Sequence, residues 1–461
     1  MPRKETITTS LKDVELTHFH SGGRACSREK YYVSGGIPGE RVEIVSQRGK
    51  GFRSGTAVNI LRASEDKTAP FCVHAGICGG CPWQHMKYDA QLRWKRDILE
   101  RALDKYGIRL PAEGVPDTAP SPLQKGYRNR VEYTFEAGKD GKQNIMGFHQ
   151  PGDLSSVFDC TECFLLPEGM HTLALGIKET ALEQGVPFYR FEGRTGLLRN
   201  LTLRCTTTGD LAVIAGFTRN EPSSILPFFE VLATRFPAVT SWAYTVWDPC
   251  SSERYYNPEY HHVTGNTHLE EKSGALRFQY GLSSFYQPNP LQASRIFNHI
   301  LKQAEHFIKE HDPVYDLYTG VGTIALTLAG KFKNSSITGI EGNQVAVRDA
   351  INNASLNKTS LAEFIAGDIL RTFTPSFIAL NDNPSLVLLD PPRSGTLTEI
   401  KKTILAAQPA GIIYLSCNPV SLAWDLKQLT ENGYRLTAIQ PFDMFPHTHH
   451  VETLAVCRKE S

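Results

Sequence analysis

At 461 residues the chain exceeds one ordinary hydrophobic core, so two or three domains are expected. A formal net charge of +1 excludes a globally basic protein, and any nucleic-acid surface has to be local. With no apolar leader and no bilayer-length apolar run, a cytoplasmic protein is expected, its ten cysteines reduced and open to metal binding or catalysis.

Residues 1–68 read as short strands: Val42-Glu43-Ile44-Val45 and Thr56-Ala57-Val58-Asn59-Ile60 alternate, after a turn at Gly35-Gly36-Ile37-Pro38-Gly39. This predicts a small barrel of the oligonucleotide-binding kind. Arg48, Lys50 and Arg53 share one predicted loop with Gly49 and Gly51, which suits a phosphate backbone or a solvated hairpin tip. A central α+β domain is expected over 69–284. It opens with Cys72-x5-Cys78-Gly79-Gly80-Cys81, and Cys160 and Cys163 follow much later. Four such thiolates suit zinc or a [4Fe–4S] cluster, and the x5 spacing leans towards iron–sulfur. Residues 88–106 read as an amphipathic helix with Leu92, Ile98, Leu99 and Leu103 on one side, and Pro-rich 111–122 as a linker. Arg128 and Arg130 interleave with Tyr127 and Tyr133, as RNA contacts or as structural strand residues.

From 285 to 461 the pattern becomes repeated βα units, with strands at 314–318, 336–340, 386–389 and 411–415. Two late runs, 434–439 and 451–457, lie too close for another crossover helix and predict an antiparallel pair. The whole is a multidomain α/β chain ending in a Rossmann-like domain of the methyltransferase layout. Ligands in such sheets sit beyond the carboxyl ends of the strands. There stand Asp316, Gly320 and Gly322, then Glu341, suited to ribose hydroxyls, and Asp368, suited to an adenine amino group. The glycines alone leave NAD as a rival, since Ala325 fits the looser dinucleotide motif. The later motifs favour S-adenosylmethionine.

Those motifs are Asp390-Pro391-Pro392-Arg393, Ser416-Cys417-Asn418-Pro419 and His449-His450-Val451-Glu452. Pyrimidine C5 becomes nucleophilic once a thiolate adds at C6, and a base must then remove the C5 proton. This chemistry asks for a cysteine of lowered pKa and a general base. Cys417 is the candidate thiol and Glu452 the candidate base, with His447, His449 and His450 as competitors. Asp390 is available to the uracil edge. Phe285 and Gln287 are suited to stack on and hydrogen-bond an extruded base. A lone cysteine is otherwise a small buried hydrophobe, and a lone glutamate a surface charge.

In these motifs the chain resembles the bacterial RNA 5-methyluridine methyltransferases that carry a TRAM domain and an iron–sulfur cluster and act on large-subunit ribosomal RNA. The resemblance spans roughly residues 6–459. It implies a TRAM barrel over 1–68, a cluster-bearing centre over 69–284 and a catalytic domain over 285–461, with 91–122 packing on the catalytic domain. It implies Cys417 as nucleophile, Glu452 as base and Asp390 as active-site aspartate. Phe285 is assigned to the substrate base. Gln287, Asp316, Gly320, Gly322, Glu341, Asp368 and Asp390 are assigned to S-adenosyl-L-methionine. Cys72, Cys78, Cys81 and Cys163 are assigned to a [4Fe–4S] cluster, leaving Cys160 as an extra cysteine. The implied partner is structured RNA, ribosomal or in some lineages transfer RNA, met by a monomer away from membranes. A cytosine-5 enzyme would bring a Pro-Cys pair near Asp-Pro-Pro, and an adenine N6 enzyme an aromatic residue where Arg393 stands. A non-catalytic RNA-binding factor is the reading from another class.

Overall fold

A computed structural model of the chain describes residues 9–49, 52–138, 144–247 and 259–460. Among these, no helix is long and apolar enough to cross a membrane. The N-terminal strands Thr9–Phe19, Ala25–Ser27, Tyr31–Ser34, Arg41–Gly49 and Phe52–Arg62 close into a barrel. Alternation in the strands drives closure, because Val14, Leu16, Val33, Val42 and Ile44 all point inward. The expected basic loop is a hairpin in which Arg48 pairs with Arg53, and Lys50 lies outside the described residues. Arg53 donates to the Glu29 carbonyl at 3.2 Å.

The central region is a seven-stranded sheet covered by helices Met170–Glu183 and Pro222–Arg235. Tyr127 and Tyr133 are buried there, so neither ring is free to stack on a base. Arg130 is exposed and Arg128 half-buried. A hairpin of His268–Ser273 and Leu276–Gly281 then packs Phe278 and Tyr280 against Val321, Leu326 and Ala346 of the last domain.

That domain holds a second seven-stranded sheet, ordered Ala362–Ala366, Ile337–Glu341, Val314–Leu317, Leu386–Leu389, Gly411–Ser416, Glu452–Lys459 and Tyr434–Phe442. The first five strands are parallel and the last two antiparallel, as the short spacing predicts. Alternation again assigns the faces. Tyr315, Leu317, Val387, Leu389, Ile412 and Tyr414 meet one layer of helices. Val314, Leu386, Leu388, Ile413 and Leu415 meet the other. Helix Tyr88–Lys105 joins two cores: Ala90 and Ile98 close the barrel, while Leu99 and Leu103 lie in the catalytic-domain core. Burying those two leucines stabilises this docking by roughly 1.5–3 kcal/mol each.

Candidate active site

The strand order brings three distant motifs to one sheet edge. Ser416 pairs with Thr453 across antiparallel strands, so Cys417 and Glu452 stand at adjacent strand ends. Leu389 pairs with both Leu317 and Tyr414, which sets Asp390 at the end of the strand between the cofactor turn and Cys417. Asn418 clips two motifs together. Its side chain caps helix Pro419–Thr430 by accepting from the Val420 N–H at 3.1 Å, and donates to the Arg393 carbonyl at 2.9 Å.

The carboxyls are crowded and poorly solvated. Burial pushes Asp316 and Asp390 each up to about 7, with the neighbouring carboxylate adding repulsion, from Glu341 and Asp316 respectively. Glu452 is buried and held well above the usual carboxylate range, by desolvation first and Asp390 second, while Arg393 works against the rise. The expectation of an acidic Cys417 is corrected. Desolvation and the Glu452 carboxylate push this half-buried thiol up to about 11, and Arg393 only partly offsets them. The charge of Arg393 thus acts on both Cys417 and Glu452, a part not assigned to it from sequence.

The three histidines are held neutral. His447 accepts at Nδ1 from the Gln91 amide at 3.2 Å, and its Nε2–H donates to the Gln124 carbonyl, an acceptor only, at 3.1 Å. Both ring nitrogens are therefore engaged. Burial lowers His447 and His449 to about 4 and His450 to about 3.

The glycine turn expected to meet the cofactor follows Val314–Leu317. Gly320 and Gly322 have φ of 58° and 83°, and a Cβ on Gly320 would meet nothing, whereas one on Gly322 would lie 2.9 Å from Phe364. Glu341 accepts from the Gly320 N–H at 3.1 Å and from the Asn343 N–H at 2.8 Å. Asp316 accepts through Oδ2 from Thr319 at 2.6 Å and Ala325 at 3.2 Å, while its buried Oδ1 finds no partner among the described residues. Asp368 is exposed and caps the short helix Ile369–Thr372 through the Leu370 N–H at 2.9 Å. Behind the Asp-Pro-Pro-Arg loop lies a buried network that sequence reading missed. Lys401 is ion-paired with Asp425, which also accepts from Tyr414 at 2.6 Å and from the Thr396 N–H at 2.8 Å. Burial first, and then the charge of the same Asp425, push the neighbouring Tyr318 up to about 12.

Phe285 is 62% exposed, next in sequence to a buried Tyr286 that stacks on Tyr280. The Asn129 side chain fixes the backbone of half-buried Gln287 at 3.0 Å, and Asn289 ties the segment to the Met444 carbonyl at 3.1 Å.

The family profile of the tRNA (Uracil-5-)-methyltransferases matches residues 259–460. An RNA methyltransferase of Porphyromonas gingivalis is 34% identical over 96% of this chain and 99% of that protein. The chain belongs to the RNA (uracil-5-)-methyltransferase family. A Thermotoga maritima RNA methyltransferase is 33% identical over 96% of this chain and 98% of its own. A solved structure, Pyrococcus abyssi tRNA (uracil-54, C5)-methyltransferase with S-adenosyl-L-homocysteine, superposes with a TM-score of 0.75 at 25% identity, covering 97% of this chain and 100% of that one. The enzyme is thus S-adenosylmethionine-dependent, and its turn fits that cofactor. The open side of Gly320 admits a ligand to the backbone, and the orphaned Asp316 Oδ1 is a buried acceptor beside it.

In this methyltransferase five other cysteines lie apart from the sheet edge. Cys72, Cys78, Cys81, Cys160 and Cys163 line one cavity of about 310 Å³. Cys81 is pushed up to about 12, by burial first and then by the charges of Cys78, Cys163 and Cys72. Backbone N–H groups oppose such rises: Gly80 donates to Cys78 Sγ at 3.4 Å, and Leu165 and Leu166 face Cys163. Cys160 is buried and its thiol donates to the Glu162 carbonyl at 3.3 Å. Among the described residues, no group of three or more His, Cys, Asp or Glu side chains has a metal-holding arrangement.

Proposed function

We propose that the enzyme methylates C5 of a uridine in structured RNA through a covalent cysteine adduct. The observation that carries this reading is the emergence of Cys417 and Glu452 from adjacent antiparallel strand ends. The Cys417 thiolate adds to C6, forming a C–S bond and moving the ring electrons towards C5. Bound S-adenosylmethionine supplies the methyl group. Glu452 then takes the C5 proton, the C5–C6 double bond re-forms and the C–S bond breaks, returning the thiolate. Burial above the usual carboxylate range makes Glu452 a stronger base once ionised. The N-terminus of helix Pro419–Thr430 and Arg393 favour the thiolate against the desolvation that raises it. Asp390 hydrogen-bonds the uracil edge, and Phe285 stacks on the flipped base. Gln287, Asp316, Gly320, Gly322, Glu341, Asp368 and Asp390 hold the cofactor.

Cys72, Cys78, Cys81 and Cys163 form the donor set for a [4Fe–4S] cluster, with Cys160 spent on its own hydrogen bond. The chemistry at Cys417 needs no electron transfer, so the cluster would serve structure or help shape RNA. The N-terminal barrel, over residues 1–68, and the central domain grip RNA backbone, and the enzyme works as a monomer. Large-subunit ribosomal RNA is the substrate that the motif resemblance favours. Transfer RNA is the second reading, favoured by the family profile and the P. abyssi relative. Nucleoside mass spectrometry of both RNAs from cells with and without the gene separates them. Loss of a 5-methyluridine from ribosomal RNA supports the first, loss from transfer RNA the second, and no loss from either overturns the proposal.

A further inference from the structure

The loop of residues 443–451 joins the last two strands and delivers Glu452, which pairs directly with Phe442 at the loop's mouth. It has no regular structure, and its shape is imposed from outside. The carbonyls of Met444, Phe445, Pro446 and His447 accept, in turn, from the Asn289 amide (3.1 Å), the Lys95 ammonium (3.0 Å), the Tyr127 hydroxyl (3.3 Å) and the Trp83 N–H (3.0 Å). Two residues of helix Tyr88–Lys105, one turn apart, dominate this hold. The Gln91 amide closes on His447 from both sides, accepting from its N–H at 2.8 Å and donating to its Nδ1 at 3.2 Å. Lys95 is ion-paired with Asp443, which also accepts from the Tyr88 hydroxyl at 2.8 Å. Gln91, Lys95 and Asp443 are 1%, 0% and 0% exposed. A fully buried ion pair is often no more stable than an apolar replacement, so stability alone does not account for this one.

We propose that Gln91 and Lys95 are positioning residues for Glu452, holding the 443–451 loop so that its carboxylate meets the C5 proton. This rests on the reading of Glu452 as the base. It places their effect on release of the methylated base and not on attack by Cys417, which follows a different strand, Gly411–Ser416.

The test compares Gln91→Ala, Lys95→Met/Asp443→Asn and Glu452→Gln in the full-length enzyme with an RNA substrate transcript. Covalent protein–RNA complex is quantified on denaturing gels, its base composition by nuclease digestion and mass spectrometry, and free methylated RNA over time. Gln91→Ala is expected to form the adduct at the wild-type rate and release product roughly 10²-fold more slowly. The trapped base is then already methylated, as with Glu452→Gln. Equal slowing of adduct formation and release, or wild-type release, overturns the proposal. If Glu452→Gln itself traps no methylated adduct, the general-base reading fails first and the positioning role falls with it. Should Gln91→Ala not fold, Gln91→Glu keeps the acceptor for the His447 N–H, removes the donor to Nδ1, and gives the same readout.

Discussion

The sheet-edge site and the cysteine cavity gather side chains in opposite ways. Cys417, Glu452, Asp390 and Asp316 all lie at or beside the ends of hydrogen-bonded strands. Neighbouring strands are about 4.8 Å apart, so topology alone fixes which of these groups meet. Cys72, Cys78, Cys81 and Cys163 instead lie in turns outside the named strands and helices, around one cavity. In the proposed reading, their final spacing would be set by the cluster they hold. A site built on a sheet is organised before its ligand arrives, whereas a site built on turns is completed by it.

The sharpest test removes the group on which the first site depends. Cys417→Ala is expected to abolish both methylation and the covalent adduct while RNA binding persists, and a residual adduct would assign the nucleophile elsewhere. For the second site, Cys81→Ser is expected to lose the visible absorbance of iron-reconstituted protein. Cofactor binding at the sheet edge should remain, because the regions are separately built. Retained absorbance breaks the ligand set.

The contrast sharpens on stability. Lys401→Met leaves Asp425 charged and buried behind the Asp-Pro-Pro-Arg loop, and is expected to cost about 3–5 kcal/mol by urea denaturation. Lys401→Met/Asp425→Leu should recover much of that. Gly320→Ala should lose about 1–2 kcal/mol for its positive φ alone. Gly322→Ala should lose more, because its Cβ also meets Phe364. The last effect is electrostatic and is read as a slope against pH. The Asp316 carboxyl sits at about 7 in the folded enzyme and near 4 when unfolded. Between these values the folded state binds more protons. Stability without cofactor therefore falls as pH rises from about 4 to about 7, by at most about 1.4 kcal/mol per unit for this group. Asp316→Asn should flatten that slope in thermal melts, and an unchanged slope would assign it to other groups.

Strand periodicity located the sheet well, since alternation and spacing are local properties. The antiparallel final pair followed from chain length alone, because no crossover helix fits between the two runs. Helix Tyr88–Lys105 shows the limit. Its apolar pattern pointed to Leu92, Ile98, Leu99 and Leu103, yet Leu92 is only half-buried, while Gln91 and Lys95 are deeply buried. Their partners, His447 and Asp443, lie more than three hundred residues away in sequence, and no local pattern encodes such a pairing. Tyr127 and Tyr133 failed for a related reason, since an aromatic beside an arginine reads alike on an RNA surface and in a half-buried strand. The Cys417 thiol was expected to be acidic from its chemistry. Burial first, and then its neighbours Glu452 and Asp390, push it up instead, an effect visible only once the strands are paired.

The family profile begins at residue 259, but three of the four groups gripping the carbonyls of the last loop, Trp83, Lys95 and Tyr127, lie upstream of it. A fragment spanning only the profile-matched C-terminal portion would keep Cys417, Gly320 and Gly322, and lose the groups that shape the final loop. On the proposed mechanism, such a truncated product would lack the groups that hold the loop leading to Glu452 in place. The catalytic domain is therefore not a portable cassette, and its transfer to a new RNA-binding context has to carry helix Tyr88–Lys105 along.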